Sequence, residues 1–313
     1  MEEQTFADLV ALCQFLPGPA STEMGIAIGL LRAGPLGAVA AWLGFTLPSF
    51  VLMVSFAYLV DRLPFEAGWL FPILKAIAFV VVAVAVWRMA RLLAWDARRG
   101  AIALASAAVV LTVPSSAVQV AVIAVAGFVG WLLLPVPPSP PPHVRIVVPV
   151  GRRVATACFA LYLALLVALP IARLTIPSGE VRLVDSFYRS GALVFGGGHV
   201  VLPLLHQEVV PPGWVNEDHF VAGYGAAQLV PGPLFTFAAY LGAVIDGLRG
   251  AVLATIAIFL PAFLLVFAAL PSWGALRTRP RAQRALRGVN AAVVGLLLAA
   301  LVDIARAIAS TFV

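Results

Sequence analysis

The sequence predicts an all-α polytopic membrane protein of about ten spans, built as two inverted-topology repeats with broken Pro-Gly-Pro helices. Three observations carry this. Of 313 residues, 62% are hydrophobic and 11% charged, and mean hydropathy is +1.04, values outside the range of soluble domains. The apolar sequence comes in runs parted by short polar, basic or proline-rich loops. One stretch occurs twice: Gln14-Phe15-Leu16-Pro17-Gly18-Pro19 returns 214 positions later as Gln228-Leu229-Val230-Pro231-Gly232-Pro233. Each proline removes an N–H and its ring clashes with the preceding turn, while the glycine permits angles other residues resist. Each copy therefore predicts a helix broken at membrane depth. Such a break is tolerated only against protein or a watery cavity, and two matched breaks point to a transporter's substrate site.

The net charge of +6 reads as loop arginine that sets topology, not as nucleic-acid binding. Cys13 and Cys158 lie in apolar runs without CxxC or Cys/His clustering, so they read as buried thiols, and neither metal nor cofactor is expected. The acidic N-terminus and Asp8 in the first apolar stretch do not fit a cleavable signal peptide.

In order, residues 5–31 are apolar and broken at Pro17-Gly18-Pro19, and span 36–60 is interrupted by Pro48. Loop 61–69 carries Asp61, Arg62 and Glu66, and span 70–94 leads into Arg98 and Arg99. Residues 101–113 and 116–134 form two helices joined at Pro114-Ser115. The first is short for a crossing of about 20 residues, so it is tilted or longer than drawn. Residues 135–142 are a polyproline linker, followed by Arg145, Arg152 and Arg153. The domain reading is residues 1–134 as the first transmembrane repeat, 135–153 as linker and 154–313 as the second repeat. There follow span 154–170, a mixed-charge loop, Gly-rich span 186–206, an acidic loop, the broken segment 219–246, span 250–270 with Pro261, an arginine-rich loop 271–287 and a last span near 285–305.

Helix breakers align the two halves. At offset 214, Glu3, Phe6, Gln14, Pro17, Gly18, Pro19 and Thr22 match Glu217, Phe220, Gln228, Pro231, Gly232, Pro233 and Thr236. At 213, Gly37-Ala38 matches Gly250-Ala251 and Pro48 matches Pro261, and at 212 Lys75 matches Arg287. The loop after the Pro48 span has one arginine and two acids, whereas the loop after the Pro261 span has five arginines. Positive loops stay cytoplasmic, so corresponding loops lie on opposite sides. Counting single spans between basic loops gives the same answer if each broken segment crosses, and a re-entrant hairpin would break that count. The copies are unequal: the first lacks a counterpart of the Gly-rich span, because Met1 aligns near Val215, and the expectation is a first repeat that starts late.

The chain resembles the chromate ion transporter (CHR) family. The resemblance rests on Phe195-Gly196-Gly197-Gly198-His199, Trp214, Glu217-Asp218, Gln228 to Pro233, Leu248-Arg249-Gly250-Ala251, and Leu286-Arg287-Gly288-Val289-Asn290-Ala291-Ala292 in the second half, and on Gln14 to Phe50 in the first. It covers most of the chain except the linker and hairpin 101–134, and it departs in the absent first-half Gly-rich element. The resemblance implies chromate efflux across the bacterial inner membrane, with sulfate as a competing or alternative oxyanion and chromate resistance as the outcome.

A tetrahedral dianion needs N–H donors and hydroxyls, with one cation as an optional addition. A helix restarting after Pro-Gly-Pro supplies free N–H groups and a positive dipole end. Ser21, Thr22 and Thr236 either add hydroxyls or cap the restarted helices. Gln14 and Gln228 offer amides just before the breaks. Gly196, Gly197 and Gly198 allow close approach of an anion or of a facing helix. Glu23 and His199 are candidate proton-coupling groups. Alternatively, Glu23 serves the helix dipole and His199 packs. Arg189 is the preferred cation, while Lys75 and Arg287 either attract the anion or snorkel. The leading reading is a secondary transporter, since no nucleotide-binding motif is present. The alternatives are a carrier of sulfate or another oxyanion, or an assembly subunit needing a partner chain. A homodimer is compatible with the sequence. An intramembrane enzyme is disfavoured, because His143, His199, His206 and His219 form no i,i+4 ligand pair and no catalytic set is evident.

Overall fold

Apolar runs become long helices that continue through Pro48, Pro170 and Pro261, so that Pro48 does not interrupt its span as expected, and they turn back at glycine-containing breaks. The computed structural model describes residues 3–60, 70–113, 115–135, 148–195, 198–276 and 279–309, and among these there is no strand. The helices are α1 (Glu3–Phe15), α2 (Ala20–Val60), α3 (Leu70–Leu93), α4 (Ala97–Thr112), α5 (Ser116–Leu133), α6 (Arg152–Thr175), α7 (Gly179–Ala192), α8 (Val201–Val209), α9 (Glu217–Leu229), α10 (Phe237–Ala269), α11 (Trp273–Leu276) and α12 (Pro280–Ala309). Among the described residues five stretches are long and apolar enough to cross a membrane: Ala20–Val60, Ala76–Leu93, Arg152–Thr175, Leu234–Ser272 and Pro280–Arg306. Ala117–Leu133 is a shorter apolar helix. The chain is therefore a multi-pass helical membrane protein. The short helix expected from residue 101 begins at Ala97, where Asp96 caps it by accepting the Arg99 N–H at 3.0 Å. The polyproline stretch beyond Pro135 and the whole of loop 61–69, with Asp61, Arg62 and Glu66, lie outside the described residues.

Two segments read from sequence as single crossings are hairpins. In α9–α10, the Tyr240 hydroxyl donates to the His219 carbonyl at 3.0 Å, and the Phe220 and Tyr224 rings lie 5.2 and 5.7 Å from that of Phe237. A continuous helix would put residues 219 and 240 about 30 Å apart, so the chain turns back at the second Pro-Gly-Pro. In α7–α8, Glu208 accepts from the Ser186 hydroxyl at 2.7 Å and from Arg189 at 3.0 Å, which folds residues 179–209 back on themselves in place of the expected span 186–206. Proline and glycine chemistry located the Pro-Gly-Pro break, while the Gly-rich stretch read as one unbroken span; whether the chain continues or returns depends on contacts between residues some twenty positions apart.

The first Pro-Gly-Pro has the backbone of the second. Gly18 and Gly232 sit at φ +150° and +133°. Beyond them the Thr22 N–H donates to Pro19 at 2.8 Å and the Thr236 N–H to Pro233 at 3.0 Å. Sharp reversals follow at matched positions inside α2 and α10, at Ala33-Gly34 and Asp246-Gly247. The arms of each reversal touch through glycine: a Cβ on Gly29 would collide with the Gly37 carbonyl, and one on Gly242 with the Gly250 carbonyl. Gly29 and Gly34 thus have counterparts in Gly242 and Gly247, a correspondence the sequence alignment did not use.

The halves interlock. Trp42 of α2 packs edge-on to Phe259 and Phe263 of α10. A Cβ on Gly191 of α7 would strike the Ile258 carbonyl of α10. The α12 helix lies in a seam of small residues, with Gly288 against Ala126 and Gly130 of α5, and Gly295 against Ala103 and Ser106 of α4. Small residues let helix backbones approach where lipid offers no hydrophobic contrast.

Candidate functional site

Three tips meet at one place. Gly18 in the first break donates its N–H to the Val194 carbonyl at 2.7 Å, at the tip of α7–α8. On the far side of that tip, Gly198 faces Leu234, just beyond the second break. Ser49 of α2 donates its hydroxyl to the Pro231 carbonyl at 2.6 Å, so a span of the first half holds the break of the second. The reverse contact is Ala262 of α10, the counterpart of Ser49, against Gly18.

The tips enclose a pocket of about 340 Å³ lined by Pro19, Ala20 and Ser21, by Gly198 and His199, and by Ala227, Gln228, Val230, Gly232, Leu234 and Phe235. Helix α2 starts at this pocket, so the Ala20 and Ser21 N–H groups and its positive dipole end open on it. The Ser21 side chain is exposed there. The arm after the second break starts at Leu234 and presents its first turn to the same space. His199 is the one ionisable side chain among the described lining residues, and its Nδ1 lies 2.9 Å from the Tyr224 hydroxyl. Gln228 stands beside the same hydroxyl. This is a polar seat with N–H, hydroxyl, amide and imidazole groups and no carboxylate among its described lining residues, which suits an anion better than a cation.

A second cavity, about 680 Å³, lies on the other face of the first break. Leu16, Pro17 and Phe195 form its inner end, and Arg152, Thr156 and Ser272 also line it. Its wall is otherwise aliphatic and aromatic. Although larger, it lacks convergent donors and reads as an approach to the break rather than a binding seat.

The candidate residues divide clearly. Pro19, Ser21, Gly198, His199, Gln228 and Gly232 line the central pocket, and Pro17 lines the larger cavity. Gly18 forms the wall between the two, pinned to Val194. Pro231 and Pro233 shape the second break without lining the pocket. Thr236 is buried and donates its hydroxyl to Pro233 at 2.8 Å, the capping alternative. Thr22 is buried with its hydroxyl unpartnered. Gln14 is exposed on α1 and lines neither space, unlike its counterpart Gln228. Gly196 and Gly197 lie outside the described residues, and of Lys75 only the backbone position in α3 is described.

Arg189 does not lie at the pocket. It pairs with Asp185 at 2.8 Å and Glu208 at 3.0 Å, and Arg173 pairs with the same two carboxylates at 3.2 and 3.1 Å. Two guanidinium groups face two nearly buried carboxylates, so the charge is spent in tying α6, α7 and α8 together. Arg287 donates to the Pro135 carbonyl at 3.0 Å, beyond the C-terminus of α5, the interfacial alternative. Tyr224, Phe235, Ala227 and Ser49 were not among the candidates. Tyr224 lies one helical turn before Gln228 on α9, the one cue the sequence offered.

Sequence comparisons agree with the architecture. The family described as Chromate transporter matches residues 1–131 and 181–313. The chromate transport protein of Pseudomonas aeruginosa is 29% identical over 98% of this chain and 73% of its own length. The probable chromate transport protein of Synechococcus elongatus is 26% identical over 98% of this chain and 76% of its own. The uncharacterized transporter YwrB of Bacillus subtilis is 41% identical over 25% of this chain and 41% of its own length. No solved structure gives a significant match. With the family matched across both halves of the chain, this protein belongs to the chromate transporter family.

Proposed function

We propose that this protein is a secondary transporter that exports chromate across the bacterial inner membrane and thereby gives chromate resistance, with the central pocket as its oxyanion seat. The observation that carries the reading is the convergence of both Pro-Gly-Pro breaks and the Gly198-His199 tip on one small pocket of N–H, hydroxyl and amide groups. A tetrahedral dianion is held by such donors and by helix N-termini, and broken helices at a repeat interface are where secondary transporters place their substrates. The relatives named for chromate transport support the choice of substrate. Sulfate, with the same shape and charge, is the natural competitor.

The orientation follows from charge. Arg98 donates to the Leu133 carbonyl at 3.1 Å and Arg287 to Pro135 at 3.0 Å, which brings the basic start of α4 and the arginine-rich start of α12 together at the C-terminal end of α5. Positive segments favour the cytoplasm. At the opposite end Arg249 pairs with Glu180 at 2.6 Å and Arg182 stacks over Trp214. Reading α7–α8 and α9–α10 as re-entrant removes two crossings together, so the side of every later loop is unchanged. The Gly34 reversal is then cytoplasmic and the Gly247 reversal periplasmic, as two inverted repeats require. The large cavity, which includes Arg152, opens toward the cytoplasm.

Chromate uptake into everted inner-membrane vesicles, with and without excess sulfate and an uncoupler, tests this reading. Gradient-dependent uptake that sulfate reduces is the expected result. Vesicles that contain the protein and accumulate no chromate would overturn it, and uptake indifferent to the uncoupler would remove the secondary mechanism.

A further inference from the structure

Glu23 follows the pocket-lining Ser21 by two residues, and its surroundings are unusual. It is 0% exposed, and neither carboxyl oxygen has a hydrogen-bond partner. Its Oε1 rests against Gly18, where any Cβ would displace it. Gly18 is the partition of the molecule: Leu16 and Pro17 before it line the cytoplasm-facing cavity, and Pro19, Ala20 and Ser21 after it line the oxyanion pocket. The carboxyl thus lies behind the partition between approach and seat, lining neither space itself.

The simpler role for an acid in a first helical turn is to serve the N-terminus. Here its oxygens accept no N–H group, and the Thr22 and Glu23 N–H groups already donate to Pro19 at 2.8 and 2.9 Å. Nor does the architecture need an acid, for the matched residue after the second break is Phe237, fully buried on an arm of the same shape. From α1 the titratable neighbour is the Cys13 thiol, from α10 the contact at Gly18 is the Ala262 methyl, and beside it on α2 is the Thr22 hydroxyl. His199 is the titratable group across the pocket. No cation is among these groups. A carboxylate without donors is not tolerated in such a seat, and a fixed negative charge two residues from Ser21 would repel a dianion in the pocket.

We propose that Glu23 is the proton-linked gate of the oxyanion pocket: the dianion occupies the pocket only while Glu23 carries a proton, so one proton is bound with each anion. By reciprocity, anion binding then strengthens proton binding at Glu23 and a proton at Glu23 strengthens anion binding. This rests on the central pocket being the oxyanion seat. Glu23 receives its proton when the break at Gly18 yields and exposes the carboxyl to one of the two flanking spaces. His199 contributes in the same sense, because its protonated form also favours an anion, and the two must be separated by experiment.

The test is equilibrium chromate binding to the purified full-length protein across neutral and mildly acid pH, for the wild type, Glu23→Gln and His199→Gln. The wild type should lose affinity as pH rises, by up to tenfold per pH unit for one linked proton. Glu23→Gln, a permanent mimic of the protonated acid, should bind throughout and lose most of that dependence, while His199→Gln keeps the larger part of it. Protonation of chromate itself affects all three proteins alike, so the comparison isolates the side chain. Equal pH slopes in the wild type and Glu23→Gln would overturn the proposal and leave the transport reading standing. A slope lost only in His199→Gln would move the gate to His199. If the folded wild type binds neither chromate nor sulfate at any pH, the pocket is not an oxyanion seat and both readings fall.

Discussion

Gly18 and Gly232 hold backbone angles that a side chain resists, and each faces a polar group of functional interest: the Glu23 carboxyl for Gly18, the Ser49 hydroxyl for Gly232. A methyl at either position adds strain of about 1–3 kcal/mol and displaces that neighbour. Gly18→Ala and Gly232→Ala should therefore insert in the membrane yet lose most chromate uptake in vesicles, and wild-type uptake by either would detach the breaks from transport. Arg189 behaves oppositely. Its side chain is 20% exposed and faces Asp185 and Glu208, which are 1% and 5% exposed. Removing one partner from a buried pair costs about 3–5 kcal/mol, although Arg173 remains to share the load. Arg189→Ala should lower the thermal unfolding temperature of the purified protein more than it changes the concentration of chromate giving half-maximal uptake. A large loss of affinity at unchanged stability would restore Arg189 as the cation of the seat. The sequence showed an arginine inside an apolar stretch, but its partners were settled by the fold of α7 back onto α8.

At the scale of elements, the hairpins depend on glycine contacts with no room for a side chain. Gly242→Val would push the α10 arms apart at Gly250, so the variant should show reduced folded yield and faster proteolysis near Asp246. Native-like yield and protection would mean that the arms part without consequence. Helix α4 offers a simpler test outside the membrane. The Arg99 N–H holds the Asp96 carboxyl below its ordinary range, and the Arg99 side chain pairs with it as well. Because the folded value is depressed, the cap's stabilisation is full above the ordinary aspartate value and is lost as pH falls through the depressed one. Asp96→Ala should cost about 1 kcal/mol at neutral pH, and the gap from wild type should close in strong acid. A gap that widened on acidification would contradict the cap. Prolines and glycines announced these ends and breaks to the sequence, whereas a hairpin is a contact between distant turns that local propensity does not contain.

Across the whole molecule, the inverted arrangement we propose would place the two glycine reversals at opposite ends. In a chain cleared of Cys13 and Cys158, Ala33→Cys and Asp246→Cys should react with a membrane-impermeant thiol reagent from opposite sides, Ala33→Cys only in everted vesicles and Asp246→Cys only in intact cells. Labelling of both from the same side would remove the inverted reading. The proposed topology would also account for the charge pattern, since exchanging two crossings for two hairpins leaves the side of the later arginine-rich loop unchanged.

Composition, breaker chemistry and charge placement determined by themselves that this is a helical membrane protein, that its helices break at Pro17-Gly18-Pro19 and Pro231-Gly232-Pro233, and that the two halves correspond. These are local properties: a missing N–H, a permitted angle or an arginine excluded from lipid acts wherever the residue stands. The tertiary structure alone decided that the chain returns at the second break and at the Gly-rich tip. It also decided that Gln228 reaches the pocket while Gln14 does not, and that Arg189 is bound to Asp185 and Glu208. It alone left Glu23 buried and unpartnered where its counterpart is Phe237. Each of these outcomes depends on which distant residues arrive in contact, and that follows from the packing of the whole chain.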